Sequence, residues 1–331
     1  MNRTYQPIKK LYPTVANKIV EFLNQNDRWV VQNVLYNEFF STIRKSWEHI
    51  RNRPIEYKNK VKRLVIDVDE PLYIGELPKH LTEIIFGKDF NQELEVGVLT
   101  NSLTHLTFGQ NFKKQLASGV LPHSLTHLTF GFSYNISLEH GLLPSNLTHL
   151  TFGYSYNQPL APGILPPNLT HITFGSFFNQ NFPPNILPNS LTHLTFGHDF
   201  NQHLIPGVLP TNLTHLTFGF SYNQKIEPDV LPQNLSHLIF ESDFNQELDI
   251  GILPDSLTHL TFGYSYNQPL APGILPNSLT YLTFGYRYNQ QIIPGVLPNS
   301  LTYLIFGNKF NQEFTSNILP PNLIHLSFVK N

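Results

Sequence analysis

Residues 191–212 read LTHLTFGHDFNQHLIPGVLPTN, and close copies of this 22-residue string fill the chain from Leu81 to Phe328. Its sixth position is invariant. Phe86, Phe108, Phe130, Phe152, Phe174, Phe196, Phe218, Phe240, Phe262, Phe284, Phe306 and Phe328 stand 22 residues apart without a slip. A period this strict stacks one short unit on the next, each burying the apolar face of its neighbour. Numbered 1 to 22 from Leu191, the apolar residues that recur from copy to copy fall at positions 1, 4, 6, 10, 14, 18 and 19. Positions 3 to 6 (His193, Leu194, Thr195, Phe196) alternate polar and apolar, which predicts a short half-buried strand. Gly at 7, Gly at 17 and Pro at 20 exclude a regular helix from the remainder.

Stacked strands of this kind form a parallel sheet at roughly 4.8 Å per step, so twelve of them would extend on the order of 55 Å. Positions 4 and 6 face the core, and positions 3 and 5 face outward. The expected fold is a mainly β repeat solenoid of about twelve 22-residue coils. A small α-helical domain over residues 1–60 precedes the solenoid of residues 61–331. Position 17 is Gly97, Gly119, Gly141, Gly163, Gly207, Gly251, Gly273 or Gly295, replaced only by Asn185, Asp229 and Asn317. These residue types tolerate positive φ, so the chain is expected to turn through the left-handed region there. Position 11 is Asn in all but one full unit: Asn91, Asn135, Asn157, Asn179, Asn201, Asn223, Asn245, Asn267, Asn289 and Asn311, with Lys113 the departure. Such a column suits a stacked amide ladder that satisfies backbone groups at a bend.

Charge divides the chain. Residues 1–63 carry 13 Lys/Arg against 5 Asp/Glu, and residues 64–331 carry 8 against 18. The basic first segment and acidic remainder imply two domains. Nucleic-acid binding by the repeats is disfavoured by their charge. Cysteine is absent, so disulfides and thiolate metal sites are excluded. The start of the chain lacks a signal-peptide core and no long apolar run occurs, giving an expected intracellular protein, cytoplasmic rather than nuclear, with no membrane partner. Asn-x-Ser/Thr triplets at Asn146, Asn168, Asn212 and Asn234 read as by-products of the repeat.

The pattern Leu-x-x-Leu-x-Phe, a downstream Asn and then Val-Leu-Pro resembles the leucine-rich repeat signature. More narrowly, LTHLTFGxxFNQxLxPGVLP resembles the FNIP repeat family, over about residues 77–328. That resemblance implies a binding protein, and members often carry an F-box ahead of the repeats. Pro13, Ile19, Val20, Phe22, Leu23, Asp27 and Val34 follow an F-box spacing, with Pro13 one residue closer than usual and the Cys-Lys/Arg-x-Trp ending absent. The resemblance makes Pro13, Ile19, Phe22, Leu23 and Val34 the candidate contacts to a ubiquitin-ligase linker subunit. The alternative is a helical cap that only covers the first coil.

Position 3 holds His105, His127, His149, His171, His193, His215, His237, His259 and His325, with Glu83, Tyr281 and Tyr303 in the remaining places. Side chains one coil apart run parallel rather than converge, so no metal site and no cofactor is expected. The row reads as a contact surface for an unidentified protein target, with Thr at position 5 beside it. No hydrolase elbow, phosphate-cradling loop or paired carboxylates at fixed spacing appears, and the chain is not expected to be an enzyme.

Overall fold

Thirteen short parallel strands form one sheet in strict sequence order in a computed structural model of the chain, which describes residues 51, 61–314 and 317–329. The strands are β1 (Arg63–Ile66), β2 (Glu83–Phe86), β3 (His105–Thr107), β4 (His127–Thr129), β5 (His149–Thr151), β6 (His171–Thr173) and β7 (His193–Thr195). They continue with β8 (His215–Phe218), β9 (His237–Phe240), β10 (His259–Thr261), β11 (Tyr281–Thr283), β12 (Tyr303–Phe306) and β13 (His325–Phe328). Register is in phase throughout: His193 pairs with His171 on one side and His215 on the other. The expected solenoid is therefore observed, with β1 standing ahead of the twelve repeat strands. The expected helical domain over residues 1–60 lies outside the described residues, Arg51 apart.

The core is the apolar set of the repeat. In the coil from Leu191, Leu191, Leu194, Phe196, Phe200, Leu204, Val208 and Leu209 are all at most 5% exposed. Phe at position 6 stacks on the aromatic at position 10 of its own coil, as in Phe196–Phe200 at 3.8 Å, and on its equivalent one coil on, as in Phe196–Phe218 at 5.7 Å. Full burial of one such ring is worth about 1.5–3 kcal/mol. Each ring also touches its neighbours above and below, so no coil is stable by itself.

Two glycine columns have different causes. Every position-17 residue from Gly97 to Asn317 has positive φ, between 62° and 89°, and this includes Asn185, Asp229 and Asn317. The left-handed turn expected there is present in every coil from β2 to β12. At position 7 the cause is close approach. A Cβ on Gly197 would lie 1.8 Å from the carbonyl oxygen of Gly175, and one on Gly175 would lie 1.7 Å from that of Gly153. Glu241 alone breaks this column among the full coils. Around it the pairing runs one residue further, Phe218 to Phe240, and the chain bends at Ser242 and Asp243 where other coils make a tight turn.

Ring spacing changes across the section of the stack. Outward-facing imidazoles at position 3 repeat every 4.1–4.2 Å from His105 to His259. Position-6 rings repeat every 5.2–6.0 Å, as in Phe284–Phe306 and Phe240–Phe262. Position-10 rings repeat every 6.0–6.5 Å, as in Phe244–Tyr266 and Tyr134–Tyr156. The coils fan apart away from the histidine side, which puts that row on the inside of a curve.

Candidate interaction face

Position 3 owes its geometry to the residue before it. The backbone N–H groups of Thr148 and His149 both donate to the Thr126 carbonyl, at 2.9 and 3.0 Å, and the Thr148 hydroxyl reaches the same oxygen at 3.1 Å. The same hydroxyl stands 2.9 Å from Nδ1 of His149. Thr104, Thr126, Thr170, Thr192, Thr214, Ser236 and Thr258 repeat both contacts with their own histidines. Each imidazole is thus held at one nitrogen, and those from His127 to His237 are stacked between two others, with His105 and His259 ending the pile. His105, His127, His149, His171, His193, His215, His237 and His259 form one unbroken pile, with planes 10–15° apart.

Tyr281 and Tyr303 extend the row with looser packing, at 5.5 and 5.9 Å from the preceding ring. Glu83 begins it and is ion-paired with Arg63 at 3.1 Å. Burial in the pile, followed by repulsion from neighbouring imidazoles, lowers His127, His171 and His215 from the ordinary value of 6.5 to about 4. The same causes lower His149 and His237, and burial lowers His193. His127, His149, His171, His193, His215 and His237 are therefore neutral at physiological pH. Among the described residues no group of three or more His, Asp or Glu is placed to hold a metal ion.

The position-11 amides lie on the return side and form a ladder. The Asn157 side-chain oxygen accepts the backbone N–H of Asn179 at 3.0 Å, Asn179 does the same for Asn201, and Asn201 for Asn223 at 2.9 Å. The ladder runs on through Asn245, Asn267, Asn289 and Asn311, and at the other end Asn91 accepts from Lys113. Lys113 has no side-chain acceptor and interrupts the column, which restarts with Asn135 accepting from Asn157.

Three features escape a reading of the sequence alone. Gln at position 12 clamps the ladder: the Gln180 amide donates to the side-chain oxygen of Asn157 at 2.9 Å, and Gln202 to that of Asn179 at 2.8 Å. The position-2 hydroxyls orient the imidazoles, and the near-constant Thr before each His was the available signal. Aromatic pairs at the strand exits form a second, partly exposed set, Phe132–Tyr154 at 4.5 Å and Tyr264–Tyr286 at 4.8 Å, with the Arg287 guanidinium 5.3 Å above Tyr264. The Asn-x-Ser/Thr triplets have a structural explanation. The side-chain amides of Asn146, Asn168, Asn212 and Asn234 each donate to a backbone carbonyl of the preceding coil at 2.8–2.9 Å. Pro13, Ile19, Phe22, Leu23 and Val34 lie outside the described residues.

The FNIP Repeat family model matches five consecutive segments, residues 90–133, 134–177, 178–221, 222–265 and 266–309, each two coils long. The chain belongs to the FNIP repeat family. No curated protein sequence matches this FNIP repeat chain. Among solved structures it is similar to CroV588, described as a novel circular LRR protein, with a TM-score of 0.75 and 46% identity over 81% of this chain and 43% of that one. The chain thus spans less than half the length of that relative. An internalin (inlF) from Listeria monocytogenes shares the leucine-rich-repeat type of fold, with a TM-score of 0.51 and 15% identity over 87% of this chain and 94% of that one. No helix among the described residues is long and apolar enough to cross a membrane.

Proposed function

We propose that this FNIP repeat solenoid is a protein-interaction module whose histidine and tyrosine row holds a protein target. The observation that carries the reading is the row itself. Eight imidazoles, each fixed from beneath by a hydrogen bond, and two tyrosines stand half-buried to exposed on a sheet, and so offer contact area with little ordering left to lose. Residues 61–331 supply this surface. Residues 1–60, as a separate F-box-like domain, would recruit a ubiquitin-ligase linker subunit through Pro13, Ile19, Phe22, Leu23 and Val34. The chain would then be a substrate-recruiting adaptor. Pull-down of the linker subunit by the full chain, with Ile19→Asp and Leu23→Asp as controls, tests this. Retention lost in both variants is the expected result; no retention by the wild type refutes the adaptor role.

A second reading has its own support. Arg51 is ion-paired with Glu70 and with Glu76, the latter at 3.3 Å, which ties the segment ahead of the repeats to the first coils. That contact suits a cap on a scaffold that has no ubiquitin partner. The same pull-down separates the two readings.

A further inference from the structure

We propose that the position-2 hydroxyls lock the eight stacked imidazoles as Nδ1–H tautomers, so that the inner face presents a strip of bare Nε2 lone pairs to a protein partner bearing arginine side chains. The proposal rests on the protein-target reading above and narrows it to a class of partner. Its core is a count of protons. The Thr148 hydroxyl has one hydrogen and two close neighbours, the Thr126 carbonyl oxygen at 3.1 Å and Nδ1 of His149 at 2.9 Å. A carbonyl oxygen only accepts. If the hydroxyl donates to it, the hydroxyl lone pair is free to accept from Nδ1–H, and both contacts are hydrogen bonds. If the hydroxyl donates to Nδ1 instead, two oxygens face each other with no proton between them. The Thr126 oxygen also takes the N–H groups of Thr148 and His149, so what disfavours the second arrangement is the bare oxygen–oxygen contact at 3.1 Å rather than an unmet acceptor, and which nitrogen of an imidazole carries the proton follows the bond its partner nitrogen makes.

The same count holds at every member from His105 to His259, including His237, where Ser236 replaces Thr and keeps only the hydroxyl. A hydroxyl, not a methyl group, is what the column requires. With Nδ1–H turned inward, Nε2 at the outer edge of each ring can accept and cannot donate. No carboxylate occupies position 3 or 5 between His105 and Thr261, so the strip is an acceptor surface free of carboxylates, on a domain carrying 18 acidic against 8 basic residues. Guanidinium suits it: its planar fork carries five donors and no acceptor, and it is weakly hydrated. The overall negative charge draws cationic partners towards the solenoid.

The test uses the full chain labelled with ¹⁵N, held above the free imidazole pKa near ~6.5, and long-range ¹H–¹⁵N correlations that report which ring nitrogen is protonated. Rings from His105 to His259 are expected to show protonated Nδ1 and bare Nε2. In the Thr148→Val and Thr170→Val variants, the signature is expected to be lost at His149 and His171 alone. A short arginine-rich peptide is then expected to shift the Nε2 signals saturably, while a glutamate-rich peptide of equal length leaves them in place. Protonated Nε2 along the row overturns the proposal whatever the protein binds. The correct tautomer with no response to the arginine-rich peptide, or an equal response to the glutamate-rich one, overturns the partner class. Neither result bears on the linker-subunit pull-down.

Discussion

At the scale of single residues, two glycines ten apart in the repeat separate two kinds of constraint. Gly207 has φ of +82° with open space around its Cα, so Gly207→Ala costs only left-handed strain, about 1–2 kcal/mol. Gly207→Asn is expected to be milder still, because Asn185, Asp229 and Asn317 hold the same conformation elsewhere. Gly197→Ala has no such escape. Its Cβ would sit 1.8 Å from a backbone carbonyl, which must move, and a loss of about 4 kcal/mol or more in urea unfolding is expected. Equal losses for the two alanine variants would contradict this assignment. The position-10 tyrosines make the opposite case. The hydroxyls of Tyr134, Tyr156, Tyr222, Tyr266 and Tyr288 are buried without a hydrogen-bond partner among the described residues, and Phe occupies the same column in Phe112, Phe178, Phe200 and Phe244. Tyr266→Phe removes an unpaired polar group, so stability is expected to hold or to rise by about 1 kcal/mol. A clear loss in thermal unfolding would show that the hydroxyl has a partner.

At the scale of the coil, the amide ladder does for the bend what strand pairing does for the sheet. Asn201→Leu removes the acceptor for the backbone N–H of Asn223 and for the Gln224 amide, so a cost of about 1–3 kcal/mol is expected. Unchanged chemical denaturation would show that water replaces the amide freely. The sequence carried this element well, because Asn at a fixed distance past a strand has few other uses. It also carried the strand, through the alternation of His193, Leu194, Thr195 and Phe196, and the positive-φ turn, through the substitution of Gly by Asn and Asp alone. Position 7 was less legible. A glycine selected for closeness to another coil looks the same as one selected for its dihedral angles, and only the separation of Gly197 from the Gly175 carbonyl tells them apart. The role of Thr192 was hidden for a similar reason. Its hydroxyl bonds to groups 1 and 22 residues away, and a linear reading sees only the first.

At the scale of the whole molecule, the imidazole pile couples stability to pH. His127, His171 and His215 fall from 6.5 in the unfolded chain to about 4 in the fold, so the unfolded state takes up protons first as pH drops. The stabilisation is complete above the unfolded value, declines between 6.5 and about 4, and is fully lost below that. A urea midpoint that falls across this window is expected, and a flat one would refute the coupling. His→Gln at these three positions together should flatten the profile in part, with His149, His193 and His237 supplying the remainder.

The unequal ring spacing sets the size of the hollow. Imidazoles 4.1 Å apart on one side and position-10 rings 6.2 Å apart on the other make each coil act like a tapered arch stone. Repeated from coil to coil, that taper turns the inner face into a concave trough along the row. Such an arch admits a rounded body broadside, where a lone extended peptide would meet only part of its span.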